Sequence, residues 1–174
     1  MQGGPPPAVN HSVSPNERMT PPMKLGVNTF IWTAGFDESN LPLLPEIKRH
    51  GFDGVELPLF RPAELKAAAL RKGLEANGLE CTLCSVLTDG HNIISDDAAV
   101  RAKTRQHMAD CVKAAAEIGA HIIAGPLYAP VGFLPGRRRT EDEWKWCVEC
   151  YQELGPTLAA HDVHIAIEPL NRFE

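Results

Sequence analysis

The segment His164-Ile165-Ala166-Ile167-Glu168-Pro169-Leu170-Asn171-Arg172-Phe173-Glu174 decides the interpretation of this chain. It begins as a short apolar run, reaches a carboxylate at Glu168 and continues as a polar turn. In parallel α/β proteins the strand interior is apolar, and functional groups lie where the strand emerges at its carboxyl end. The segment therefore predicts a strand over residues 164–168, with Glu168 as a candidate site residue.

Upstream of this segment, a β-rich run, a polar turn and an amphipathic run ending in glycine recur along the chain. Such alternation predicts parallel strands joined by crossover helices. The predicted strands are 24–31, 54–57, 80–87, 120–125 and 164–168, and the predicted helices are 41–50, 62–77, 97–118 and 140–161. Thr140 and Glu143 predict a capping box at the start of the last helix. Gly155-Pro156 predicts that this helix is bent or split.

Five strands would be enough for a doubly wound open sheet, whereas an eight-stranded barrel needs about 200 residues or more. Two features favour the barrel. No glycine-rich phosphate-binding fingerprint follows the first predicted strand. Polar or aromatic residues also lie at the end of nearly every strand: Trp32, Glu56, Thr88, Asp89, Tyr128 and Glu168. The predicted fold is an α/β protein, a (β/α)8 TIM barrel truncated after the fifth strand, with more barrel expected beyond Glu174.

The composition favours a small neutral or weakly charged ligand. With 44% hydrophobic residues, the 174-residue chain can form a sizeable core. A net charge of −5 disfavours nucleic acid as a partner, because nucleic-acid binding depends on Lys and Arg at phosphates. Residues 1–22 are rich in Pro, Gly, Asn and Ser and predict a disordered tail, while residues 23–174 form the barrel part. No apolar run is long enough to span a membrane.

The five cysteines, Cys81, Cys84, Cys111, Cys147 and Cys150, are odd in number and scattered. They do not form a secreted disulfide framework, which favours a reducing, cytoplasmic location. Two pairs have the C-x-x-C spacing of zinc or redox sites. Because one pair lies in a predicted strand and the other in a predicted helix, we interpret them as buried apolar thiols.

Three segments of the chain, residues 51–56, 120–127 and above all 167–174, resemble a known family. They are similar to the ketose 3-epimerases of the D-tagatose/D-allulose type, in the xylose-isomerase-like sugar isomerase/epimerase superfamily. The resemblance extends over residues 24–174. Its most specific part is a glutamate, Glu168, followed after two residues by Asn-Arg-Phe-Glu.

The resemblance implies a TIM barrel holding one divalent ion, Mn²⁺ or Co²⁺ or else Mg²⁺, through four side chains. Glu168 matches the first of these ligands and also one of the two acid/base groups. Glu174 matches a glutamate that hydrogen-bonds substrate hydroxyls. The other three ligands would lie beyond residue 174. The resemblance further implies a small-molecule sugar substrate and a homo-oligomer for the full-length protein.

Further pocket residues follow from the resemblance with less specificity. Cys84, Gly125 and Pro126 align with positions that line the sugar pocket, and Phe30 and Trp32 lie near its apolar wall. All five would also serve as ordinary core or rim residues. Outside the resemblance, Glu56 is interpreted as a structural partner at the barrel mouth. His91 lies in the loop after the third strand, where it could approach a ligand, while His107 is interpreted as solvated.

The resulting hypothesis is a metal-dependent sugar isomerase or epimerase, most simply a C3 epimerase of a ketose, of which this chain supplies the first part. Epimerisation at C3 requires a carboxylate base on each side of the carbon and a cation for the enediolate charge. An alternative is an apurinic-site endonuclease-like metal hydrolase of the same superfamily, which the negative net charge disfavours. Another is a non-catalytic remnant. The sequence alone leads us to expect an inactive 174-residue chain.

Overall fold

The computed structural model describes residues 23–88, 90–171 and 173. The expectations for residues 1–22, for Asp89 and for Glu174 therefore fall outside the described residues. No helix among the described residues is long and apolar enough to cross a membrane.

Five parallel strands form one sheet. They are β1 (Gly26–Asn28), β2 (Gly54–Pro58), β3 (Glu80–Cys84), β4 (Ile122–Gly125) and β5 (His164–Ile167). Their order in the sheet is β1-β2-β3-β4-β5, so each strand pairs with the next along the chain. This sequential parallel order is the arrangement of a barrel wall, whereas a doubly wound sheet reverses its strand order at a switch point. The predicted barrel fold class is confirmed for the five strands of the described residues.

Four α-helices connect the strands: α1 (Leu43–Arg49), α2 (Ala67–Ala76), α3 (Ala98–Ile118) and α4 (Glu141–His161). Of the expected bend or split of α4 at Gly155-Pro156, the split is wrong, because the helix continues through Pro156. A proline inside a helix removes one backbone hydrogen bond. The rest of this 21-residue helix, which includes the buried residues Cys150 and Leu154, holds it together.

Several predicted elements are longer than the observed ones. The first predicted strand, residues 24–31, ends at Asn28, whose side chain accepts a hydrogen bond from the amide of Phe30 and starts a 3-10 turn over Thr29–Ile31. The predicted helix over 62–77 is a 3-10 turn (Pro62–Glu64) followed by α2, because Leu65 between them is extended. Hydrophobic periodicity does not detect local side-chain caps or single extended residues.

The register of the sheet separates a helix-facing side from an open side. Val55, Leu57, Leu83 and Ile123 are at most 2% exposed and pack beneath the helices. Since alternate strand residues point to opposite faces, the residues between them lie on the open side. Strand pairing aligns Asn28 with Glu56 and Thr82, and Pro58 with Cys84 and Ala124.

The core lies between the sheet and the helices. Its largest fully buried side chains are Leu44, Ile47, Leu57, Leu59, Leu70, Leu83, Leu87, Ile93, Met108, Val112, Ile118 and Ile123. The predicted capping box is confirmed: the Thr140 hydroxyl accepts from the Glu143 amide, and the Glu143 carboxylate accepts from the Thr140 amide. These contacts fix the start of α4. Because β1 to β5 are parallel, their carboxyl ends lie together at one edge of the sheet.

Candidate functional site

Glu168 lies at the carboxyl end of β5, one residue past the strand. Its amide donates a hydrogen bond to the carbonyl of Gly125, the last residue of β4, over 3.0 Å. Ala166 pairs with Ala124 on the open face, and Glu168 follows it by two positions. Continued alternation therefore places Glu168 on the open face too. The residue is exposed, as a group that meets a ligand must be.

Cys84, at the end of β3, lies on the same open face and is half-buried. The pKa of its thiol is raised to about 11, first by burial and then by the negative charges of Glu56 and Glu168. Two carboxylates, one on β2 and one just after β5, are thus within electrostatic range of one thiol. Cys84 is a neutral S–H near pH 7, so its natural role here is as a small polarisable surface and not as a nucleophile.

Glu56 has a direct structural partner. The side-chain amide of Asn28 donates to the Glu56 carboxylate over 2.6 Å, and the Asn28 side-chain oxygen accepts from the Phe30 amide. Thr29, which is fully buried, donates to the Glu56 carbonyl over 3.0 Å. These bonds join the end of β1 to β2, in agreement with the structural role predicted for Glu56.

Aromatic side chains follow β1 and β2 at the same edge. Phe30 and Trp32 are 42% and 44% exposed, which leaves an apolar surface beside the strand ends. The Phe30 ring stacks on Phe60, with ring centroids 6.0 Å apart and planes inclined by 12°. The sequence reasoning missed Phe60, although its position directly after a strand was the signal that identified Trp32.

Gly125 and Pro126 are both buried. Gly125 has φ +141°, and a Cβ at this position would lie 1.9 Å from the carbonyl oxygen of Ser85. Only glycine allows β4 to approach the end of β3 this closely. Contact of these two residues with a sugar stays a prediction, whereas their packing role follows directly from the geometry.

The C-x-x-C pairs do not form shared sites. Cys81 belongs to the helix-facing side with Leu83, whereas Cys84 faces the open side, because residues three apart on a strand point to opposite faces. Cys150 is 1% exposed, with its thiol 3.9 Å from the Met108 sulfur, and Cys147 packs against the core. Burial raises the pKa of both of these thiols. All five cysteines are free.

The expectation that His107 is solvated is wrong. His107 is half-buried on α3, and its ring lies 4.4 Å from that of His91, centroid to centroid. Burial lowers the pKa of both imidazoles, with Lys103 adding to the effect. Because the His91 ring packs on α3, the residue connects its loop to the helix.

The described residues do not by themselves fit a metal centre. Within 23–88, 90–171 and 173, no three His, Cys, Asp or Glu side chains are arranged to hold an ion. Glu168 has the oxygen ligands that divalent ions accept, but it is one ligand of the four that the resemblance implies. A cavity of about 880 Å³ is lined by Gly26, Gly54 and Glu80 at the amino-terminal strand ends and by Asn28 and Glu56 further along the strands, and its lining does not include Cys84 or Glu168.

The chain belongs to the xylose isomerase-like TIM barrel family, whose model matches residues 44–174. Its relatives are sugar epimerases. A protein of Synechocystis sp. named "probable ketose 3-epimerase" is 30% identical over 155 residues, which cover 89% of this chain and 54% of that protein. The L-ribulose 3-epimerase of Mesorhizobium japonicum is 28% identical over 152 residues, which cover 87% of this chain and 51% of that protein. The chain spans about half the length of the curated relatives it matches.

Solved structures show the same fold. An L-ribulose 3-epimerase structure superposes with a TM-score of 0.78 at 27% identity, covering 87% of this chain and 51% of the other. The D-allulose 3-epimerase of Methylomonas sp., solved in complex with D-allulose, has a TM-score of 0.79 at 21% identity, covering 87% and 54%. The second likeness supports the fold alone.

Proposed function

We propose that this chain is the amino-terminal part of a sugar epimerase that inverts a ketose at C3. The observation that carries the proposal is Glu168, an exposed carboxylate at the end of β5 on the open face of a xylose isomerase-like barrel wall. The names of the relatives, which are 3-epimerases of ketoses, support the reaction class.

The chemistry follows from what a carboxylate in this position can do. Epimerisation at C3 removes the proton next to the ketone carbonyl and returns a proton on the opposite face of the carbon. Glu168 would take or return the proton on one face. Phe30 and Trp32 would contact apolar parts of the sugar, and Cys84 would line the floor between Glu56 and Glu168.

Several parts of the proposal concern a longer protein. The second acid/base group, the remaining ligands of a divalent ion (Mn²⁺, Co²⁺ or Mg²⁺) and a homo-oligomer are proposed for that protein. A bound divalent ion would stabilise negative charge on the deprotonated sugar. We further propose that the 174-residue chain is inactive, since its described residues supply one of the expected acidic groups. The free thiols support a cytoplasmic location.

The direct test is proton exchange at C3. A longer protein containing residues 24–174 is incubated in D₂O with D-psicose, D-fructose, D-tagatose or L-ribulose, with Mn²⁺ or Co²⁺ and in EDTA. We expect deuterium at C3 of at least one ketose, detected by NMR, and less of it in EDTA. The proposal fails if no ketose takes up deuterium at C3 while the protein is folded. Deuterium exchange that persists unchanged in EDTA would contradict the proposed metal dependence.

A further inference from the structure

Tyr128, in the loop after β4, bonds to the segment that carries Glu168. Its hydroxyl oxygen accepts a hydrogen bond from the amide of Leu170 over 3.2 Å, across 42 positions of sequence. The amide of Glu168 donates to the Gly125 carbonyl over 3.0 Å. The backbone on both sides of Pro169 is therefore bonded to the β4 end of the molecule.

The loop that presents Tyr128 is itself well anchored. Its neighbours Leu127 and Ala129 are 4% and 6% exposed, and the amide of Leu127 donates to the Gly125 carbonyl over 2.9 Å. Pro130 forms a parallel β-bridge with Leu87, beyond the end of β3. The phenol of Tyr128, half-buried against the core, is thus held by burial and backbone bonding on both sides.

Because of Pro169, the hydrogen bond between Tyr128 and Leu170 is one of the few that can fix the backbone after Glu168. Proline has no amide hydrogen and a fixed φ, so the Glu168 and Leu170 amides are the donors that can fix this stretch. With both in place, the direction of the Glu168 Cα–Cβ bond is set by β4 and its loop. With the Leu170 bond removed, the Glu168 amide keeps its bond to Gly125, and the turn beyond Glu168 loses its bond to the β4 loop.

We propose that Tyr128 is a positioning residue, which aims the carboxylate of Glu168 at the mouth of the barrel by holding the Leu170 amide. This inference rests on the proposed function for its chemical meaning. A carboxylate that transfers a proton must be held within a fraction of an ångström, because a displacement of about 1 Å can cost about 10²-fold in rate. The contact itself is testable in the chain without any activity.

The experiment compares the only two tyrosines of the chain. Tyr128→Phe removes the hydroxyl that accepts from Leu170. Tyr151→Phe is the matched control, because the Tyr151 hydroxyl donates to the Leu127 carbonyl of the same loop over 2.9 Å, whereas the Leu170 amide donates to Tyr128. Amide hydrogen exchange of the 174-residue chain is measured at Glu168, Leu170 and, for the core, Leu83, by mass spectrometry with residue-level fragmentation.

We expect Tyr128→Phe to raise exchange at Glu168 and Leu170 about fivefold relative to Leu83, which corresponds to one neutral hydrogen bond of about 1 kcal/mol. Tyr151→Phe should leave both ratios within twofold of the parent. The proposal is overturned if Glu168 keeps its parent rate, or if Tyr151→Phe gives the same increase.

A second variant guards against a folding defect in Tyr128→Phe. Leu170→Pro removes the donor of the same bond, so exchange at Glu168 should rise by a similar factor, and the double variant should show no further increase. Additive effects would overturn the proposal. In a longer, active protein, Tyr128→Phe should lower kcat about tenfold with KM within twofold of the parent. Changed exchange without a kcat effect would refute the positioning role, and absence of epimerase activity in the parent would refute the proposed function alone.

Discussion

The position of Glu168 is fixed by its backbone amide more than by contacts of its side chain. Its carboxylate is exposed, while its amide is bonded to the last residue of β4. A group held in this way is free to meet a ligand and is still fixed in direction. Gly125, which accepts that bond, is in turn fixed by its close approach to Ser85.

The substitution Glu168→Gln tests the proposed acid/base role in a longer protein that epimerises a ketose. It keeps the size of the side chain and removes the anionic base, so turnover should fall by about 10²-fold or more. Glu117→Gln, an exposed carboxylate on α3, is the control and should keep parent turnover. Near-normal kcat in Glu168→Gln would mean that the base lies elsewhere.

The substitution Gly125→Ala tests the packing at the end of β4. A methyl group here would meet the Ser85 carbonyl, and φ +141° is strained for any residue with a Cβ. We expect the free energy of unfolding to fall by at least about 2 kcal/mol, measured by urea denaturation. Gly35→Ala, where a Cβ meets nothing within 4 Å, should change it little. Equal effects of the two variants would contradict the interpretation.

Among the elements, the start of α4 carries an ion pair whose carboxylate is buried. The Arg137 guanidinium donates two hydrogen bonds to the Glu143 carboxylate, over 2.9 and 3.0 Å, and Glu143 is only 3% exposed. The same carboxylate caps the Thr140 amide over 2.6 Å. The β4–α4 loop is therefore tied to the helix that follows it by an ion pair and a cap together.

This contact predicts an acid dependence of stability. The Arg137 guanidinium, with the Thr140 amide, lowers the pKa of Glu143 from 4.5 to about 2. A carboxyl whose folded pKa is lowered contributes stability that is complete above pH 4.5 and is lost as the pH falls towards 2. Glu143→Gln should therefore be less stable than the parent at pH 6, and the difference should shrink between pH 4.5 and 2.

The measurement for Glu143 is the free energy of unfolding at several pH values from 6 to 2. Glu141→Gln is the control, since the Glu141 side chain is 91% exposed and pairs with Arg139 at 3.4 Å. The free energy of unfolding of Glu141→Gln should differ little from that of the parent at every pH from 6 to 2. A Glu143→Gln difference that stays constant over this range would show that the ion pair is not the source of the acid dependence.

For the whole molecule, the described sheet leaves two kinds of surface uncovered. β1 and β5 each pair on one side only, so their outer backbone groups are available to another strand. Ile122 on the open face is 41% exposed, and Ile167 on the opposite face at the end of β5 is 48% exposed. Unpaired strand edges and exposed apolar side chains both favour association.

We therefore expect the 174-residue chain to self-associate and to bind Mn²⁺ weakly at most, measured by size-exclusion chromatography with light scattering and by metal titration. Ile122→Lys should reduce the association, because lysine on an open sheet face discourages pairing. Val148→Lys, on α4 and 36% exposed, is the control. A compact monomer that binds Mn²⁺ stoichiometrically would contradict this expectation.

The sequence alone determined the order of the elements, because the hydrophobic period and the terminating glycines are local properties. It also indicated Glu168 as a candidate site residue, since a carboxylate directly after an apolar strand is visible in the sequence. Each of the five predicted strands and four predicted α-helices is present, with shorter bounds except for β2, which is one residue longer. The unbroken α4 could not be predicted, because neighbouring packing decides whether a helix tolerates Pro156.

Only the tertiary structure decided which distant residues meet. The sequence placed Gly125 at the end of one strand, Tyr128 just beyond it and Glu168 at the end of the next strand, but the bonds of Glu168 and Leu170 to them depend on the pairing of β4 with β5. The same holds for His91 on His107 and for Phe30 on Phe60. Hydrophobic periodicity specifies which face of each element is buried, whereas contacts between elements depend on register and loop geometry, which no local pattern encodes.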